Sequence, residues 1–264
     1  MGKLIGQTFK EDFKSIILWL ILPLISSFIL MKLYEVFQTS ALIGIGIVIS
    51  FTLLMVGPII ALSIGTDNDM KRFYDKQASF YSTLPYKSSQ IIGARFINYI
   101  LIGILSFASF IVNFILLFAV SREDQTYSLS EFFDGIKTII ANIGLGRFAL
   151  ILLVAFSVLI TLISMLLLAS TATGSKYFAK YSKSAALFVF IILLALIGFS
   201  FSYLQTNVLY NNLNEAVEIK GVGMKIVTNI SNMTFIIPIL FNLVVSSIMY
   251  GISYFLHDKK LSVN

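Results

Sequence analysis

Few residues in this chain have side chains suited to covalent or metal chemistry. There is no cysteine, so no thiolate nucleophile, disulfide framework or Cys-based metal site exists. The one histidine, His257, ends the last apolar run and reads as an interfacial side chain. A metal site needs several converging ligands, which a lone histidine does not supply. Thr173-Gly174-Ser175-Lys176 has the outline of a phosphate loop but lacks its glycine spacing and its Gly-Lys pair, so it reads as a helix-ending turn. What remains is small polar residues at helical spacing. Ser106, Ser109 and Asn113 form one stripe. Ser157, Thr161 and Ser164 form a second, and Asn242, Ser246 and Ser253 a third. Such residues let helices approach closely and hydrogen-bond across them; three stripes together could also line a path for a largely apolar molecule. Gly46 and Ser50 form a small-xxx-small pair that reads as a packing seam.

These stripes need long helices to carry them. Of 264 residues, 58% are hydrophobic and 12% charged, against about 25% charged in a soluble domain. Lipid can face apolar side chains on every helix, so a bilayer accommodates this composition. A spanning helix needs about 20 apolar residues. Six runs qualify: Ser15–Tyr34, Ala41–Ser63, Ile91–Val120, Phe148–Ser170, Ser184–Leu204 and Phe235–Leu256. Pro23 and Pro58 lie inside the first two, where a kink is tolerated. The fold expected is an all-α integral membrane protein, a single transmembrane domain over residues 1–264.

The net charge of +6 does not indicate nucleic acid, because the basic residues lie in short segments between the runs. They report orientation instead. Thirteen fall on the side holding both termini, the loop after run two and the loop after run four; six fall on the other. This excess places both termini in the cytoplasm. The opposite side carries the long segments 121–146 and 205–234. In the first, Leu129, Phe132, Phe133, Ile136, Ile139 and Ile140 recur at helical spacing. That pattern predicts an amphipathic helix on the outer membrane surface, or capping the bundle. The second is punctuated by Asn and Gly and holds two glycosylation-type triplets, at Asn229 and Asn232, of a kind common by chance.

All thirteen acidic residues lie outside the centres of the six runs, as do Lys, Arg and His. Ion-driven carriers keep an ionisable group at mid-membrane, and none is present there. No ATP-binding motif is present either, so energy for any driven transport must enter from another polypeptide. The segment 66–90 is the natural point of entry. Asp67, Asn68 and Asp69 can cap a helix start. Met70, Phe73, Tyr74, Tyr81 and Leu84 then share a face, with Lys71, Arg72, Asp75 and Lys76 on the other, until Pro85 ends the pattern. This predicts a short helix lying parallel to the membrane. It is either a surface-bound interfacial helix or a helix seated in the groove of a partner.

The same loop resembles that of ABC exporter permeases of the type 2 family. The resemblance is carried by Asp75, the Phe80-Tyr81 pair, Leu84-Pro85, Lys87, Ile91-Ile92 and Arg95, where Arg95 stands at a position often held by Lys. Phe9-Lys10-Glu11-Asp12-Phe13-Lys14 resembles the family's amphipathic connecting helix before span one. The sequence-specific part covers about twenty residues; the rest is hydropathy and topology. The resemblance implies a permease of six spans, with a connecting helix over 1–14 and a coupling helix within 66–90. It implies two permease subunits, here a homodimer, each docking one of two cytoplasmic ABC ATPase subunits. ATP and Mg2+ would bind in those ATPases, no cofactor would bind in this chain, and this chain would not itself be an enzyme. It also implies the plasma membrane of a bacterium as the location. Among its members the loop is nearest to exporters of amphipathic peptides, including phenol-soluble modulins, and to antimicrobial-peptide resistance transporters. The competing readings are a drug or lipid efflux permease and a non-transporting immunity or sensor subunit.

Overall fold

The computed structural model describes residues 1–36, 41–74, 77–78, 81, 83, 85–120, 129–174, 182–206, 217–218, 225–226 and 232–261. Their long helices are α1 (Gly2–Val36), α2 (Ala41–Tyr74), α3 (Ser88–Val120), α4 (Leu129–Ile143), α5 (Leu145–Thr173), α6 (Ser182–Leu204) and α7 (Met233–Leu261). A two-residue ladder, β1 (Val217–Glu218) with β2 (Lys225–Ile226), is antiparallel and pairs Val217 with Ile226. All of these helices except α4 are long and apolar enough to cross a membrane, which indicates a multi-pass membrane protein with six such helices among the described residues. The expectations for Asp75, Lys76, Phe80 and Leu84, and for the triplet at Asn229, fall outside the described residues, as does much of 205–234.

The spans run further than hydropathy alone predicts. α1 has 35 residues, about 52 Å at 1.5 Å per residue, against a hydrocarbon core of about 30 Å. The expected connecting helix over 1–14 is not a separate element: its residues are the opening turns of α1. Nor does a new helix start at Asp67–Asp69; α2 runs unbroken through them to Tyr74. No proline or other strong breaker lies between Ser63 and Tyr74. Gly65, the one weak point, makes room for Ile102: a Cβ there would stand 2.8 Å from its Cδ1. Asp67 pairs with Lys71 one turn on, at 2.7 Å.

α1, α2 and α3 pack mutually, and α5 packs with α6 and α7. The two groups meet where α3 touches α5 and α7, and where α2 touches α5. α1 begins and α7 ends at the same end of the bundle, called the basal end below. Pro23 cannot donate to the Trp19 carbonyl. α2 closes on that freed oxygen through Gly57, where a Cβ would stand 3.0 Å from it. Further along, Ser50 donates to Ser26 Oγ at 3.0 Å, and a Cβ at Gly46 would meet the end of the Leu30 side chain. The Gly46/Ser50 pair therefore is a packing seam, on α1. Thr173 ends α5 and Gly174 caps it, as the turn reading of that segment predicts.

Candidate functional site

The first turns of α1 bury one face, Leu4, Thr8, Asp12 and Ile16, at successive steps of four. Three of the four are ordinary buried residues, since Thr8 satisfies its hydroxyl on the Leu4 carbonyl at 3.0 Å. The fourth is a carboxylate at 0% exposure. Asp12 accepts from both terminal nitrogens of Arg72 and from the amides of Asn68, at 2.9 Å, and Asn98. Arg72 also reaches Glu11 Oε2 at 3.1 Å from Nε, and the Thr8 carbonyl. Three helices, α1, α2 and α3, thus converge on one buried carboxylate.

A second pair lies beside it. Arg95 of α3 donates from Nε to Asp69 Oδ1 at 2.9 Å and from Nη2 to Asp69 Oδ2 at 2.6 Å. The rest of its fork serves other helices. Nη1 donates to the Tyr74 hydroxyl at 2.7 Å and to Thr171 Oγ1 at 3.2 Å, and Nη2 to Ser170 Oγ at 3.0 Å. Its guanidinium carbon stands 5.2 Å and 5.0 Å from the ring centres of Phe73 and Tyr74, a cation over two aromatic faces. Tyr99 donates to Asp69 Oδ2 at 3.1 Å. Tyr74 also meets His257 Nδ1 of α7 at 2.9 Å. Only a planar five-donor cation bonds in so many directions from one position, which is why arginine and not lysine fits here.

This network ties α1, α2, α3, α5 and α7 together at the basal end. Both ion pairs lie within the α1–α2–α3 group. Across to α5 and α7 the described links are hydroxyls and an imidazole. An apolar shell of Leu4, Phe73, Tyr81, Ile91 and Ala94 seals it. Tyr81 closes the rim, its hydroxyl 3.4 Å from Glu11 and its ring 5.1 Å from that of Phe73. Gly174 is required by the same packing: a Cβ there would fall on the ring of Tyr74.

Several sequence expectations change on this geometry. Met70 and Phe73 are buried inside the bundle, so they are not projecting knobs. Arg72 belongs to the interior, not to a solvated polar face. His257 is 1% exposed and set edge-on to Phe73 and Tyr74, so it is not interfacial. Charge is absent from the span centres, as expected, yet the interior is charged at its basal end. Phe9 and Phe13 are half-buried neighbours with ring centres 6.0 Å apart, and Lys10 is exposed beside them; Pro85 is exposed.

The three polar stripes separate into two kinds. On α5 and α7 they satisfy each other. Thr161 bonds the Asn242 carbonyl at 3.2 Å and Ser246 Oγ at 3.0 Å, and Asn242 donates to Ser157 at 3.1 Å. Ser164 turns back to the Ile160 carbonyl, and Ser253 to that of Met249. These residues are packing contacts. On α3 the stripe is less complete. Ser109 donates to the Leu20 carbonyl of α1 at 2.8 Å, and Asn113 donates back to Ser109. Ser106 Oγ, Asn113 Oδ1 and, nearer the base, Asn98 Oδ1 are buried without a hydrogen-bond partner.

Sequence reasoning placed Asp12 and Arg95 in a docking surface, read Asn68 and Asp69 as helix-capping residues, and left Asn98, Tyr99, Ser170 and Thr171 unassigned. A signal did exist. Asp12, Asp69, Arg72 and Arg95 all flank run ends on one side of the bundle, so opposite charges share one depth. No group of three acidic, histidine or cysteine residues able to hold a metal occurs among the described residues. Both buried carboxylates are engaged by arginine, so the arrangement suits mechanical linkage, not proton transfer or nucleophilic attack. No family model matches this chain, nor does any curated protein or any solved structure.

Proposed function

We propose that this chain is the permease subunit of an ATP-driven exporter of the ABC type 2 class, worked from its basal side by a separate ATPase. The observation that carries the proposal is the buried double ion pair. It joins the basal ends of five spanning helices beside the loop at 77–87, so a displacement applied there reaches those five helices together. The surplus of basic residues on that side supports a cytoplasmic base with both termini inside. The resemblance of the 75–96 segment and the lack of charge at the span centres support energy entering by contact.

Burial of Met70 and Phe73 supports a contact surface that lies outside them. The groups presented to a partner are Gln77, Thr83, Pro85 and Lys87 of the loop, with Lys3, Gln7, Lys10 and Lys14 of α1, all exposed. The interior side chains transmit the push. Two copies would pair in the plasma membrane, each with one ATPase that binds ATP and Mg2+. The substrate would be amphipathic or hydrophobic, with peptide the favoured class. The α3 stripe is packed on α1 through Ser109, so its unfilled acceptors Ser106 Oγ and Asn113 Oδ1 would meet donors of a substrate only when α1 and α3 part.

The experiment is co-purification and reconstitution with an ATPase encoded beside this chain, measuring ATP turnover against amphipathic peptides. Replacing Lys87 and Gln77 by Glu should weaken ATPase association while leaving the fold intact. Association without any peptide-stimulated turnover would support the immunity or sensor reading instead. Unchanged association in the Glu variants would remove the loop as the docking surface.

A further inference from the structure

Among the described residues, α4 is the one long helix that does not span. Its apolar positions Leu129, Phe132, Phe133, Ile136, Ile139, Ile140 and Ile143 fall within an arc of about 120° at 100° per residue. Asp134, Lys137, Thr138 and Asn142 occupy the opposite arc, with Asp134 and Lys137 paired at 2.9 Å and both well exposed. α4 packs on α5. That contact leaves the apolar arc partly open: Phe133 is 47% exposed. The linker to α5 is Gly144 alone, at φ +85, a backbone setting that breaks the helix and suits glycine. α5 then opens with Leu145 at 75% exposure, and Leu152, Leu153 and Phe156 follow on its outward face. An outward apolar face on a spanning helix meets lipid. The open arc of α4 is therefore continuous with a lipid-facing surface and begins where that surface ends.

We propose that α4 is a lipid-surface anchor: its Phe133–Ile136–Ile140 arc sits in the headgroup–acyl boundary of the leaflet opposite the base, and this seat fixes that end of α5. A helix with one apolar and one charged face lies in the interface plane, with the apolar side sunk about 5–10 Å into the boundary. α5 is then held at both ends, by lipid through α4 and by Arg95 through Ser170 and Thr171. The inference does not depend on the exporter reading, since it follows from amphipathicity, exposure and connectivity.

The chain has no cysteine, so single cysteines can be placed without background. Nitroxide labels at Phe133→Cys, Ile136→Cys and Ile140→Cys are compared with Asp134→Cys, Thr138→Cys and Asn142→Cys. The full chain is reconstituted in vesicles of phosphatidylcholine and phosphatidylglycerol. Collision rates are measured with oxygen, which concentrates in lipid, and with a water-soluble nickel chelate. The expected oxygen-to-nickel ratio is several-fold higher at the first three positions than at the last three. Equal nickel access at all six would put the helix in water. Exclusion of both probes from 133, 136 and 140 would show the arc covered by protein, for instance a second copy. Either result overturns the proposal.

Discussion

Removing the Arg95 guanidinium while keeping its stem, as Arg95→Met does, measures what burial of the basal network contributes to stability. The change strips Asp69 of its bidentate partner and leaves the carboxylate with Tyr99 and Ser170 as donors. Breaking a buried ion pair from one side costs about 3–5 kcal/mol, because the remaining charge stays desolvated. Asp69→Leu should cost a similar amount by stranding the arginine. If the effects simply added, the pair would lose about 6–10 kcal/mol. The double variant Asp69→Leu/Arg95→Met strands no charge. Ser170 and Thr171 keep their bonds to the Leu167 carbonyl, at 3.0 and 2.7 Å, and Tyr74 keeps His257. Its main loss is the Tyr99 bond to Asp69, and a neutral bond contributes about 1 kcal/mol. The double variant is therefore expected within about 2 kcal/mol of the native chain. Equilibrium unfolding in mixed micelles, followed by the single tryptophan, Trp19, gives all four corners of the cycle. A cost for Arg95→Met below about 1 kcal/mol, the range of an exposed pair, would refute the buried-network argument.

Gly174→Ala should destabilise by about 1–3 kcal/mol and displace Tyr74, because that ring is held by Arg95 and His257 and cannot yield; Gly198→Ala, with open space around it, should be close to neutral in the same assay. Burial raises the Tyr81 phenol above its ordinary value of 10, and repulsion from Glu11 adds to the effect. The folded chain then holds that proton more tightly than the unfolded chain. The stability so gained is full below about pH 10 and is lost as pH rises through the folded value, so the native chain should lose stability above pH 10 faster than Tyr81→Phe in paired denaturation curves. Asn242→Leu removes the bonds to Ser157 and Thr161 and should cost about 1.2 kcal/mol net, at about 0.6 kcal/mol for each such interhelical bond in membranes, with no change in fold by circular dichroism.

The six spans, their order and the helical nature of the chain were legible in the sequence. Runs of apolar residues too long for any other purpose leave the backbone no option in lipid but to bond to itself. The Gly46/Ser50 seam and the turn at Gly174 were readable for the same local reasons. The continuity of α1 and α2 beyond the hydrocarbon length was not, because a run of polar residues after an apolar one looks the same whether it leaves the bundle or enters it. Asp67–Asp69 have good cap chemistry, yet the helix passes through them. Asp69 is stabilised by Arg95, 26 positions away, and Arg72 by Asp12, 60 positions away. Those partners come from helices that hydropathy treats as independent. Buried charge is tolerated only in company, and the company is assembled by packing. Which polar residues are sealed inside the base, and which remain exposed, was therefore decided by the tertiary structure alone.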